Sequence, residues 1–263
     1  MSVKLGWSPG FILGLGLILS PLAAAPRQDG QSFLFQAGAG IEYFSRSLAW
    51  DNDAYSSRLS AGLGLAHFGI VFPDGPSLAL LAGYGLSNWN GLVFRQLPFS
   101  IDYEAGSIGA AVFGAETEIP ILEPGRWDIS ANGRILFSLG PSHEWTLSEL
   151  NQPGTLDGKG RWTRVQVGPS VTYRGFETFS PYASVYYDGF WGTFTMTENI
   201  GILAGTEKKT VRGQGVIGAS LGVIIEPSSA FRLKAEGSLV PYTNLAGGLK
   251  LSAGVSLQAR ILF

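Results

Sequence analysis

The fifteen residues from Leu249 to Phe263, LKLSAGVSLQARILF, constrain the fold more than any other stretch. Every second residue back from the end gives Phe263, Ile261, Ala259, Leu257, Val255, Ala253 and Leu251, a wholly apolar set. The set between them is Leu262, Arg260, Gln258, Ser256, Gly254, Ser252 and Lys250, polar or glycine apart from Leu262. A period of two over this length describes a β-strand with one apolar and one polar face.

The rest of the chain has to be compatible with that strand. Hydrophobic residues make up 45% and charged residues only 14%, yet past the N-terminus no apolar run approaches the roughly 18 residues of a spanning helix. A chain this apolar without such a helix can distribute its apolar residues over alternate positions of many strands. The 37 glycines suit curved, closely packed strands. A formal net charge of -2 argues against a nucleic-acid partner. With no cysteine, disulfides, thiolate metal sites and cysteine nucleophiles are excluded.

The N-terminus reads as a cleavable signal peptide. Lys4 supplies the positive start, Phe11 to Leu19 the apolar centre, and Ala23-Ala24-Ala25 the small residues for cleavage. Cutting after Ala25 would leave Pro26 next, so the reading is a signal over 1–24 and one mature domain over 25–263.

Turn signals divide the mature part into ten strands. Short Pro/Gly/Asp turns fall near 72–76, 123–126, 175–178 and 226–229, and long connections near 47–56, 88–102, 140–160, 196–209 and 241–248. The strand over 32–46 puts Phe33, Phe35, Ile41 and Tyr43 on one face and Gln36, Glu42 and Arg46 on the other. The next, 57–71, opposes Leu59, Ala61, Leu63 and Leu65 to Arg58, Ser60, Gly62 and Gly64, which predicts outward leucines and an inward arginine. The fourth, 103–119, lacks a pattern and predicts a bulge. An even strand count returns the C-terminus to the side of the short turns, and the aromatics then form two rims. The fold expected is all-β: a ten-stranded antiparallel transmembrane β-barrel preceded by a cleavable signal peptide.

Ser252 and Gly254, then Leu257 and Ala259, then the terminal Phe263 resemble the assembly signal of bacterial outer-membrane β-barrel proteins. The resemblance implies export to the outer membrane of a Gram-negative cell envelope. It implies outer-membrane lipid and the barrel-assembly machinery as partners, and a monomer.

The inward faces carry Glu42, Arg58, Asp128, Arg134, Arg164, Arg174, Asp188, Arg212, Lys234, Glu236, Lys250 and Arg260. Two readings stay open: a salt-bridge network that fills a narrow lumen, or a charged channel that selects a solute. Asp51-Asn52-Asp53 is a paired carboxylate of the kind outer-membrane proteases use. Those enzymes also need an Asp-x-His pair, which neither His67 nor His143 provides. Neither histidine forms the His-x-Ser of outer-membrane lipid A deacylases, and no Gly-x-Ser-x-Gly occurs. No enzyme, cofactor or metal site is therefore expected. Trp145, Leu147, Leu150, Ile200, Ile202 and Leu203 in the long outer connections either bind a partner or fold over the mouth. The overall expectation is a non-enzymatic outer-membrane protein with a largely plugged polar lumen and interacting outer loops. A narrow solute channel and a surface enzyme acting on lipid or peptide are the alternatives.

Overall fold

The computed structural model describes residues 33–50, 53–72, 75–94, 101–103, 106–147, 154–243 and 247–263. The signal segment 1–24 lies outside them, as do Asp51, Asn52 and Leu150. Fourteen strands and no helix are present among the described residues. They are β1 (Leu34–Trp50), β2 (Asp53–Val71), β3 (Ser77–Asn90), β4 (Leu92–Phe94), β5 (Ile101–Tyr103), β6 (Ser107–Leu122) and β7 (Trp127–Leu139). There follow β8 (His143–Leu147), β9 (Gly154–Tyr173), β10 (Phe179–Ile200), β11 (Leu203–Gly213), β12 (Ile217–Ser228), β13 (Phe231–Thr243) and β14 (Leu249–Leu262).

All the pairings are antiparallel. The succession β1-β2-β3-β6-β7-β9-β10-β12-β13-β14 returns to β1, because β14 pairs with β1 and β9 with β10. The closing strand runs in register from Gln36↔Leu262 to Phe44↔Gly254. Phe35 and Phe263 exchange both backbone hydrogen bonds, at 2.9 and 3.0 Å, and their rings stack.

The ring narrows towards its outer end. β10 pairs with β12 from Phe179 to Tyr187 and with β11 from Trp191 to Ile200. β11 then pairs with β1 through Leu48↔Gly213, Ala49↔Arg212 and Trp50↔Val211. One long segment, which sequence periodicity presents as a single strand over 210–225, is thus two strands that part at Gly215. That glycine has φ +75°, and an added Cβ would lie 2.1 Å from the Pro241 carbonyl. The β13–β14 hairpin is left outside the outer part of the ring.

The alternation of side chains decides which residues face outward. Phe35, Ile41, Tyr43, Phe68, Leu80, Tyr84, Phe113, Phe137, Val185, Leu221 and Val255 are all exposed on the outward face. From Phe179 to Trp191 along β10 the rise is about 28 Å for a strand tilted near 45°. That is close to the thickness of a hydrocarbon core. Trp127, Tyr173, Phe176 and Phe179 cluster at the short-turn rim, where Phe176 stacks on Phe179 at 4.3 Å.

Three expectations change. In β2 the faces are reversed: Leu59, Ala61, Leu63 and Leu65 are buried inside, and Arg58 is exposed outside. Alternation defines two faces but does not say which is inner. Here the small residues face outward, Gly62 beside Tyr43 and Leu86, Gly64 beside Ile41 and Tyr84. Second, much of the long connections is strand, since β8–β9 and β10–β11 continue as paired hairpins above the belt. Third, the interior is polar only in its lower part. The bulge in the fourth ring strand falls between Pro120 and Leu122, where proline offers no ladder N–H.

Candidate functional site: the barrel interior

The interior has three layers. The outermost is apolar. Phe44, Leu48, Leu59, Leu63, Trp89, Val112, Leu136, Trp162, Phe190, Phe194 and Met196 form one buried cluster. Leu92 and Phe94 of the short β4–β5 ribbon tuck into it and are fully enclosed. Phe94 lies 5.9 Å from the Phe194 ring, and Trp89 5.6 Å from it. Lys209 Nζ sits 4.8 Å from the Trp50 ring and 5.9 Å from Phe94. Gly160 is required here, because an added Cβ would lie 2.6 Å from Trp89 Nε1. Of the apolar residues expected in outer loops, Trp145 packs against the cluster and Ile200 is buried, whereas Ile202 is fully exposed.

Beneath this plug the charges form a continuous chain. Arg46 Nη2 donates to the Gly215 carbonyl at 2.7 Å and lies 3.9 Å from Asp188 Oδ1. Arg164 Nη2 meets Asp188 Oδ2 at 2.7 Å, and Gln166 Nε2 donates to the same oxygen at 3.2 Å. Arg164 Nη1 reaches Glu42 Oε1 at 2.9 Å, and Arg134 Nη1 holds Glu42 Oε2 at 2.6 Å. Arg134 Nε is 3.9 Å from Glu116 Oε2. Glu116 Oε1 accepts from Arg260 Nη2 at 2.5 Å and lies 3.0 Å from His67 Nδ1. Four guanidinium groups thus alternate with three carboxylates across the interior. Buried ions of this kind persist only when each has a partner of opposite sign. Arg164 also lies 4.4 Å over the Phe44 ring, which couples the ionic layer to the plug.

The lowest layer is a polar vestibule at the short-turn end. Tyr182 Oη donates to Glu236 Oε2 at 2.6 Å, with Lys234 Nζ 3.6 Å from the same oxygen and 4.6 Å from the Tyr182 ring. A cavity of about 130 Å³ is bounded by Glu116, Arg134, Tyr182, Lys234, Glu236 and Arg260. A second of about 410 Å³ continues past Arg260 to Gln36, Asp128, Arg174 and Arg232. Asp128 pairs with Arg174, and Glu226 with Arg232.

The structure therefore brings Glu42, Arg134, Arg164, Asp188 and Arg260 into one network. Asp128, Arg174, Lys234 and Glu236 lie in the vestibule. Arg58 and Arg212 are elsewhere: both are exposed on the outward face, at the outer rim. Lys250 keeps inward parity but is exposed on β14 above Ser252, where β11 has taken its place beside β1. Sequence reasoning missed Glu116, which sits on the unpatterned β6, and weighed His67 only against catalytic motifs. It placed Arg46 inward but did not count it among the charges. Of the residues matching the assembly signal, Ser252 and Gly254 point inward and are buried, while Leu257 and Phe263 are exposed outside.

His67 Nε2 has no hydrogen-bond partner and faces Gly40. Among the described residues no three metal-ligating side chains cluster.

An apolar belt of bilayer height around an antiparallel ring with polar contents is what an outer-membrane barrel presents to lipid. The described residues thus form an all-β antiparallel ring with an apolar outward belt. No protein family matches the sequence, and no curated protein matches it. Among solved structures, the outer membrane protease OmpT from Escherichia coli is 12% identical, with 89% of this chain and 97% of that one covered and a TM-score of 0.47. The translocator domain of the autotransporter NalP from Neisseria meningitidis is 11% identical, over 89% and 90%, at 0.45. The beta domain of the Bordetella autotransporter BrkA is 13% identical, over 86% and 99%, at 0.44. None of these likenesses extends to an activity.

Proposed function

We propose that the protein is a closed ten-stranded transmembrane barrel that conducts no solute and catalyses no reaction, and that its outer hairpins carry its interactions. Residues 1–24 act as the export signal, and the barrel-assembly machinery inserts a monomer. The observation that carries the reading is the unbroken chain Arg46–Asp188–Arg164–Glu42–Arg134–Glu116–Arg260 beneath the buried Trp89, Phe94 and Phe194. A selective pore needs weakly held, hydrated charges along an open path. Here each charge has a partner of opposite sign within 3.9 Å, and the outer side is filled by apolar side chains. The exposed Ile202 and Leu203 at the tip of the β10–β11 hairpin, where Gly201 turns the chain with φ +61°, offer an apolar contact for a partner.

The test is conductance. Purified protein in planar bilayers should show no stable unitary steps in concentrated salt. Steady, salt-dependent steps would overturn the plugged reading in favour of a channel.

A further inference from the structure

The outward faces of β9 and β11, on either side of β10, carry positive charge just above the apolar belt, and the register shows how it is arranged. Lys159, Thr195 and Lys208 form one lateral row. Arg161, Thr193 and Thr210 form the next, and Trp191 beside Arg212 the one below. Arg212 is also level with Ala49 of β1, whose neighbour Ser47 is paired with Arg58 of β2. Arg58, Arg161, Lys208 and Arg212 are all exposed. Trp191 is 43% exposed and sits about 28 Å above Phe179, so it marks the outer boundary of the hydrocarbon.

The charge is one-sided. The corresponding outward positions across the ring are Leu86, Asn88 and Asn90 on β3, Ser107 and Gly109 on β6, and Phe137 and Leu139 on β7, none of them charged. The outward residues of β12–β14, which lie beside the patch between β10 and β1, are apolar as well: Ile217, Leu239, Pro241, Leu249 and Leu251. A basic surface that served only solubility would have no reason to sit on one side and at one height. Above the patch, Asp157 and Glu144 face each other across β8–β9, and Asp157 accepts from the Ser142 hydroxyl. Negative charge therefore limits the patch on the side away from the membrane.

We infer that this patch binds the phosphorylated headgroup of an outer-leaflet lipid. The inference rests on the membrane reading above and goes beyond it. The occupant must be anionic to complement the charge, and it must lie at the membrane boundary because the patch begins where the apolar belt ends. Alternate strands are about 10 Å apart, so Arg58, Arg212 and Arg161 reach separate phosphates of one large headgroup rather than a single anion. Trp191, directly beside Arg212, packs on the acyl chains below.

Binding of detergent-folded protein to diphosphoryl lipid A, fully dephosphorylated lipid A, phosphatidylglycerol and inorganic phosphate tests the inference by native mass spectrometry. Diphosphoryl lipid A should bind at least about ten-fold tighter than the dephosphorylated form. The variant R161Q/K208Q/R212Q should lose that difference, whereas Arg126→Gln, which removes an exposed cation from the short-turn end of the barrel, should keep it. Equal binding of the dephosphorylated lipid, or undiminished binding by the triple variant, would overturn the inference. So would full competition by inorganic phosphate, which would mean a free-anion site, or equal binding of phosphatidylglycerol, which would mean a general anionic surface. The shift in gel migration between unboiled and boiled samples is read for every variant. A wild-type chain that lacks it defeats the membrane reading itself, while an intact shift with unchanged binding defeats only the patch.

Discussion

Arg164 and Asp188 meet at 2.7 Å with side chains that are 4% and 0% exposed, and neither has water to fall back on. Asp188 also holds Arg46 and Gln166, and Arg164 also holds Glu42. Removing one partner strands the other ion. Asp188→Ala or Arg164→Ala should each lower unfolding free energy by about 3–5 kcal/mol in urea titrations from lipid vesicles. The double change to leucines should recover much of that loss, since it removes the desolvation cost together with the attraction. If the double variant is as unstable as the sum of the singles, the pair is not the coupled unit described here.

The plug and the ionic layer close the lumen in series, so damage to one should not open a path. Phe194→Ala leaves a void among Trp89, Phe94 and Met196 and should cost about 3–5 kcal/mol of stability. It should stay silent in planar bilayers, because the chain of charges beneath is intact. Unitary steps from this variant alone would show that the apolar plug is the sole barrier.

The reversed face of β2 shows where sequence periodicity stops being informative. The closing strand, β3 and β7 could be read directly, because their two faces differ in polarity and the outward one is rich in large apolar groups. In β2 the leucines looked lipid-facing for the same reason. The structure uses them for the plug and leaves glycine and serine outside, flanked by Tyr43 and Tyr84. Pattern gives a period and not an absolute direction; only the neighbours Phe44, Trp89 and Phe194 set it. Glu116 was hidden because the small residues Gly109, Ala110, Ala111, Gly114 and Ala115 blur the alternation of β6, and the ionic chain depends on contacts between residues as far apart as Arg260 and Glu116. No local window contains such a contact.

That reversal can be checked on intact cells. The chain has no cysteine, so labelling by a membrane-impermeant maleimide starts from no background. Arg58→Cys should react and Leu59→Cys should not. The opposite result would put the arginine inside, as the sequence reading had it.

Phe263 is tied twice to the start of β1, by paired backbone bonds and by the stacked rings of Phe35 and Phe263. The ring contact is worth about 0.5–1.5 kcal/mol. Phe263→Ala should therefore cost little at equilibrium. Because Phe263 also matches the last residue of the assembly signal, the larger expected effect is on insertion: less of the heat-modifiable form in cells, with near-normal stability once folded. Unchanged yield with a large fall in stability would reverse the two roles.

Glu198 faces inward near the outer end of β10, well above the belt, and is almost fully enclosed with neither carboxylate oxygen hydrogen-bonded. Burial pushes its carboxyl up from the ordinary range, and Glu207 pushes in the same direction. A carboxyl raised in the folded state favours folding most when protonated. Its contribution is complete below the ordinary glutamate pKa and is lost as pH rises through the folded value. At neutral pH the ion is a net burden, so Glu198→Gln should stabilise the barrel there by about 1 kcal/mol. The gain should vanish near pH 4, where both forms are neutral. Urea titrations at the two pH values measure it, and a variant less stable than wild type at neutral pH would mean that the carboxylate has a partner of opposite charge after all.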